Sequence, residues 1–221
     1  MKQYDKIEYL DTKSFSLPVI GFYKHDGSNL RFEWGYKRGW YKYGTRKTMI
    51  DRSDIQFGGG IDIFLNKYGD DLDRIFRTKY KRVESFVVFG EYVGENSFAG
   101  QHIESDVKDV ILFDANQYRR GIIDPFEFVE NFGHLDIPDI VYEGLYTDEF
   151  VNNIKSNRLK YGKLKEGVVI KGVYKNKNNK DEVIMAKIKT NIWVRQVREK
   201  FGEKYLLDEL NNDERLLKTY L

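Results

Sequence analysis

Lys24 lies in the run Phe22-Tyr23-Lys24-His25-Asp26-Gly27-Ser28-Asn29, two residues before an Asp-Gly pair and flanked by apolar, strand-like segments. An amine in such a place can act as a nucleophile once its proton is removed. Downstream, four further charges interrupt apolar strands in a way that core packing does not explain. Glu91 sits inside Phe89-Gly90-Glu91-Tyr92-Val93-Gly94, and Glu166 directly precedes Gly167-Val168-Val169-Ile170-Lys171. Lys187 and Lys189 lie two apart in Met185-Ala186-Lys187-Ile188-Lys189, so on a strand they share one face. A buried charge without a partner is costly, so charges in these contexts pair or point into a polar cleft. Both glutamates also adjoin a glycine, which is read here as a place where a ligand comes close to the backbone.

Taken singly, each residue has a plainer reading. Lys24 could be a surface lysine before a turn, Glu91 and Glu166 strand-edge members of ion pairs, and Lys187 and Lys189 an exposed strand face. His25, His102 and His134 are scattered without metal-ligand spacing, and none is assigned to a metal. Gly58-Gly59-Gly60 lacks the Lys-Ser/Thr of a phosphate loop and reads as a flexible connection. Trp34, Trp40 and the tyrosines could stack on bases, although most aromatics serve the core. The 221 residues contain no cysteine, which excludes disulfides and thiolate metal sites. No apolar run resembles a signal peptide or a membrane span, so a cytoplasmic protein without a membrane partner is expected.

Charge is nearly balanced overall but unevenly spread. Between Glu84 and Phe150 fifteen acidic residues face three basic ones, whereas between Val151 and Lys200 fourteen basic residues face four acidic. The basic C-terminal third suits a polyanionic partner or, equally, a solvated surface.

The elements that must position these groups are legible in part. Leu30–Trp34 and Trp40–Tyr43 read as a strand pair, which puts Lys24 at the mouth of a sheet. Ile61 to Phe76 has helical spacing, interrupted by Gly69. Ser85 to Val93 and Val107 to Phe113 read as buried strands. A short helix follows Asp124-Pro125 and stops at Gly133, and another runs from Thr147 to Lys160. Gly167–Tyr174 and Glu182–Lys189 are strands joined by a polar loop, and 192–221 is helical with a break near Gly202. Strands and helices mix without regular alternation, so the class is α+β with largely antiparallel sheets.

In this order, Lys24-His25-Asp26-Gly27, Phe89-Gly90-Glu91, Glu166 to Lys171 and Ala186-Lys187-Ile188-Lys189 resemble motifs I, III, IV and V of the covalent nucleotidyltransferase superfamily of polynucleotide ligases and capping enzymes. Separations of 67 residues from Lys24 to Glu91, 75 to Glu166 and 21 to Lys187 suit that family's domain. Val110-Ile111-Leu112-Phe113-Asp114 resembles motif IIIa, whose aromatic packs on the purine. Each motif alone is short enough to recur by chance; the ordered set of five carries the resemblance. Asn29 fits the KxxGxN form of phage and editing-type RNA ligases, and Asp26 the more general KxDG form. Arg46 falls where RNA ligases carry a phosphate- or ribose-contacting arginine.

The resemblance implies an adenylyltransferase domain over 1–190, with an ATP cleft between sheets, and a short helical tail over 191–221 without an oligonucleotide-binding-type domain. It implies an ATP-dependent RNA ligase that takes AMP onto Lys24, with Lys187 and Lys189 on the α-phosphate. Glu166 or Glu91 would hold Mg²⁺ or Mn²⁺, Glu91 alternatively the ribose, and Phe113 the adenine; Tyr23, Asp26, Gly27, Asn29 and Arg46 complete the nucleotide contacts. The implied partners are RNA ends, in a nicked duplex or an RNA/DNA hybrid, and the protein is expected to be a monomer. The alternatives are a minimal DNA ligase and a nucleic-acid-binding protein that keeps the fold without turnover.

Overall fold

The computed structural model describes residues 1–9, 17–95, 105–158 and 164–220; His102 and Lys160 fall outside them. The chain divides into two compact units. One comprises Met1–Asp5 and Asp26–Pro138, the other Lys6–His25 and Asp139–Leu221.

In the first unit β2 (Ser28–Gly35), β3 (Gly39–Thr45), β4 (Met49–Ile50), β5 (Ser85–Val93), β6 (Asp109–Gln117) and β7 (Gly121–Ile122) form an antiparallel sheet in the order β4-β3-β2-β5-β6-β7. Alternation in β2 puts Leu30, Phe32 and Trp34 on one face, against α1 (Gly58–Lys79). Phe32 stacks on Phe64 at 3.6 Å between ring centroids, and Phe76 on Phe86 at 3.9 Å. The short α2 (Pro125–Phe132) starts as its sequence dictates, with Asp124 accepting from the amides of Phe126 and Glu127.

The three glycines at 58–60 are not a flexible connection; they are the first turn of α1. Close packing explains them. A Cβ on Gly58 would lie 2.5 Å from the Arg52 carbonyl oxygen, and one on Gly60 would lie 2.6 Å from Leu30 Cδ1. Gly59 is exposed, with nothing nearer than 3.6 Å. Gly58→Ala should therefore cost about 1 to 3 kcal/mol through overpacking. Gly59→Ala should gain about 0.5 to 1 kcal/mol from helix propensity. Paired chemical denaturation curves check both signs. Gly69 does not interrupt α1, which runs through it.

In the second unit β1 (Pro18–Lys24), β8 (Ile140–Leu145), β9 (Gly167–Lys175) and β10 (Asp181–Lys189) form an antiparallel sheet in the order β10-β9-β1-β8. Val168, Ile170, Ala186 and Ile188 pack with Phe150 and Ile154 of α3 (Asp148–Lys155). That helix is shorter than its apolar pattern suggests, since Asn157 turns the chain at φ 55. Three tail helices follow: α4 (Asn191–Phe201), α5 (Glu203–Glu209) and α6 (Glu214–Lys218), with the expected break at Gly202. No helix among the described residues is long and apolar enough to cross a membrane. The expected class, α+β with antiparallel sheets flanked by helices, is what the chain adopts.

Candidate active site

Lys24 is the last residue of β1, and its register partner on β9 is Gly167. On the other side of β9 the partner of Gly167 is Lys189. Lys24, Gly167 and Lys189 thus form one rung across three strands, with Glu166 immediately before the rung's centre. The next rung on the same face is Phe22, Val169 and Lys187, and the one after it Ile20, Lys171 and Met185. Groups 142 residues apart in sequence meet because pairing register puts them there.

Gly167 has a role other than the ligand approach expected of it. Its φ is +157, and an added Cβ would lie 1.9 Å from the Ile188 carbonyl oxygen. The close neighbour is the backbone of β10. Without that approach the rung could not form at this spacing.

The carboxylate of Glu166, 3% exposed, is the hub. Lys24 Nζ lies 3.0 Å from each of its oxygens, and Lys189 Nζ pairs with Oε1. Burial acts to raise Glu166, but the ammoniums of Lys189 and Lys24 overcome it and hold the carboxyl below its ordinary range. Lys189 is 1% exposed, its ammonium 3.7 Å from the Trp193 ring centroid. Burial lowers it despite the opposing pull of Glu166. Lys187 donates to the Glu209 carbonyl at 3.3 Å and to Asn211 Oδ1 at 3.4 Å, and lies 5.0 Å from the Tyr9 ring centroid. Burial, then the positive charge of Lys189, push Lys187 down to about 8.

Two ammoniums share one carboxylate here and a third lies on the next rung of the same face, so positive charge gathers in a partly buried place. An anion of high charge is what such a cluster can bind. In the free protein Lys187 loses its proton as pH rises through about 8, so polyphosphate binding should weaken above that pH, by up to about tenfold per pH unit. Binding well below it should be insensitive to this group, and above it should be accompanied by uptake that rises toward one proton. Calorimetric titration with ATP in buffers of different ionisation enthalpy measures this; a flat affinity from pH 7 to 9.5 would sink it.

The other expected nucleotide contacts lie as follows. Tyr23 alternates to the opposite face of β1 from Lys24 and packs on the apolar cluster under the sheet. Asp26 is 6% exposed, and Gly27 passes so close to β5 that a Cβ would lie 2.5 Å from the Tyr92 carbonyl oxygen. Asn29 and Glu91 are register partners on β2 and β5. Asn29 Oδ1 is buried and has no hydrogen-bond partner among the described residues, an acceptor left open for a ligand's donor. Arg46 is exposed in the turn between β3 and β4, at the same end of the sheet as Asn29. Phe113 does not end its strand, which continues to Gln117. Partners jump from Asp114 opposite Phe89 to Leu112 opposite Gly90, so Phe113 is the extra residue of a β-bulge and half-exposed. The edge of Tyr4 meets the Phe113 ring at 5.0 Å, and Tyr4 donates to Asp114 Oδ2 at 2.8 Å.

Among the described residues no cluster of three or more His, Asp or Glu forms a ready metal cage. Glu166 is already shared by two ammoniums, so a Mg²⁺ or Mn²⁺ ion there would exchange with one of them or bind through water. Its remaining ligands would be phosphate and water oxygens, as suits magnesium.

Sequence reasoning assigned no role to Lys171, which is 3% exposed on the same face as the other lysines, 5.1 Å from the Phe22 ring centroid. Its place beside Ile170 in the strand motif was the available signal. Trp193 and Tyr9, which lie against Lys189 and Lys187, carry no local signature.

No family model and no curated protein matches the chain. Solved structures do. Naegleria gruberi RNA ligase with pyrophosphate superposes with a TM-score of 0.61 at 14% identity, over 90% of this chain and 59% of that one. Two substituted forms of that enzyme with ATP and manganese give TM-scores of 0.63 and 0.64 at 13% and 12% identity, each over 90% of this chain and over 58% and 59% of theirs. The chain therefore shares the fold of a part of these RNA ligases and spans about three-fifths of their length.

Proposed function

We propose that the protein is an ATP-dependent RNA ligase whose nucleophile is Lys24. The observation that carries this reading is the rung Lys24–Gly167–Lys189 with Glu166 shared between the two ammoniums. It sets a lysine that can become a nucleophile beside two further lysines suited to an α-phosphate. The fold held in common with Naegleria gruberi RNA ligase supports it.

In this reading Lys24 Nζ gives up its proton and attacks the α-phosphorus of ATP. An N–P bond forms, the bond to the bridging oxygen breaks, and pyrophosphate leaves. Lys187 and Lys189 balance the charge that develops on the α-phosphate. A magnesium or manganese ion, held through Glu166 or Glu91, would neutralise the triphosphate. Asp26, Gly27, Asn29, Arg46 and Glu91 would hold the nucleoside, and Phe113 would pack on adenine, whereas Tyr23 packs on the apolar face of its strand. AMP then passes to a 5′-phosphate, and a 3′-hydroxyl displaces it to close the strand. The catalytic domain would be 1–190, followed by the helical residues 191–221, and the protein would act as a monomer on RNA ends.

Incubation with α-labelled ATP and Mg²⁺ or Mn²⁺ should leave an acid-labile label on the chain. No label would refute the reading; label from GTP instead would make the protein a guanylyltransferase. Sealing of nicked DNA but not of RNA ends would make it a DNA ligase.

A further inference from the structure

Three turns meet at the end of the six-stranded sheet remote from Asn29 and Glu91, and each carries a tyrosine followed by two cations. The β2–β3 turn has Tyr36-Lys37-Arg38, and Tyr36 donates its amide to the Glu84 carbonyl at the head of β5. Between α1 and β5 runs Tyr80-Lys81-Arg82. The β6–β7 turn has Tyr118-Arg119-Arg120, and Tyr118 donates to the Ser85 carbonyl. Sheet order β3-β2-β5-β6-β7 sets these turns side by side over about 20 Å.

All six cations are exposed. None of them forms an ion pair among the described residues, whereas Arg74 and Arg77 nearby are matched to Asp71 and Asp73. Two of the three tyrosines are also open, Tyr36 at 48% and Tyr118 at 46%. Cations already lie over them, Arg77 at 4.9 Å from the Tyr36 ring and Arg119 at 4.9 Å from that of Tyr118. Arg119 holds this place at φ 63, a left-handed conformation that side chains other than glycine rarely adopt. Tyr80 differs, being 7% exposed, with its hydroxyl accepting from Asn131. Between the second and third turns opens a cavity of about 420 Å³, bordered by Lys79, Arg120 and Glu127. Among the carboxylates here Asp124 caps α2 and Glu127 bonds Tyr80, whereas Glu84 at the head of β5 is exposed and faces six cations alone in these turns.

We propose that this end of the sheet is a docking surface for single-stranded nucleic acid. The cations follow the phosphates, and Tyr36 and Tyr118 are platforms for unpaired bases, the combination that recognises single strands without reading sequence. The choice of nucleic acid as the polyanion rests on the ligase reading; the open rings favour single strands over duplex. From Asn29 to Gly35 β2 spans about 20 Å, so the strand is held well away from the nucleotide contacts of this unit.

Fluorescence anisotropy of a labelled single-stranded RNA of about 20 nucleotides, titrated with the full chain at several salt concentrations, tests this. Reversing Lys37, Arg38, Arg119 and Arg120 to glutamate should weaken binding at least about tenfold and lower the logarithmic salt slope by about two to three. Tyr36→Ala with Tyr118→Ala should weaken it about fivefold or more with the slope unchanged. ATP-dependent labelling of Lys24 should be unaffected in both. The milder Lys37→Gln, Arg38→Gln, Arg119→Gln and Arg120→Gln set should fall between and guards against misfolding, which thermal melts report. Unchanged RNA affinity in the reversed variant overturns the proposal. So does displacement of RNA by poly-glutamate at equal charge together with an unaffected tyrosine variant, which would mark an acidic-protein surface. RNA binding at this surface with no label on Lys24 would uphold the proposal and remove the ligase reading.

Discussion

Glu166→Ala should destabilise the protein by about 3 to 5 kcal/mol, the usual cost of removing one partner from a buried ion pair. Two ammoniums depend on this carboxylate, and one of them, Lys189, is 1% exposed. Removing the acid leaves their charge unbalanced away from water. Both lysines keep their protons in the unfolded chain near neutral pH, so the variant's deficit should shrink as pH rises and the buried lysines shed theirs. Glu166→Gln keeps the volume and a hydrogen-bond acceptor and should fall between. Adding Lys189→Met to Glu166→Ala should recover part of the loss, because an apolar chain against Trp193 has no charge to solvate. Urea denaturation at pH 7 and pH 9.5 measures all of these; a Glu166→Ala variant within about 1 kcal/mol of the parent would contradict the hub role.

Lys24→Ala should behave in the opposite way. Glu166 keeps Lys189, and Lys24 is the more exposed partner, its side chain at 22%. Stability should change by less than about 1 kcal/mol. Labelling from α-labelled ATP should fall more than about a thousandfold, as when a covalent nucleophile is deleted. Lys24→Arg discriminates further. Arginine can restore the ion pair, yet its guanidinium stays protonated and has no lone pair to offer phosphorus, so it should fold like the parent and take no label. Label retained in either variant would move the nucleophile elsewhere.

The residues proposed for the chemistry stood out in the sequence because charge inside an apolar strand is costly, as at Glu91, Glu166, Lys187 and Lys189. The alternation of Lys187 and Lys189 even gave their common face. What could not be read was pairing over distance. Lys24 closes β1 of one sheet, whereas Leu30 to Trp34, a few residues on, belong to the other. Nothing local distinguishes these destinations. The strand β8 was missed because Ile140-Val141-Tyr142-Glu143-Gly144-Leu145 is short and carries a glycine that weakens its strand pattern. The glycines at 58–60 misled because flexibility and close packing call for the same residue. The charge count left the C-terminal third as either a polyanion surface or a solvated one. Several of its cations turn inward instead: Lys171 and Lys189 are buried, and Lys187 is bonded to the tail.

The order of strands has a consequence for how the protein is made. Residues 26 to 138 are inserted between β1 and its partners β8 and β9. A ribosome therefore delivers everything the six-stranded sheet needs, Asp26 to Pro138, before it delivers any strand that can pair with β1. Lys24 must wait on an unpaired, apolar edge while the larger sheet closes, and contacts spanning such separations form slowly. The centre on which the proposed chemistry depends cannot form until the chain has been made through Lys189, after every strand of the six-stranded sheet. A chain interrupted before Ile140 would carry Lys24 with no counter-charge, on an exposed strand prone to aggregate.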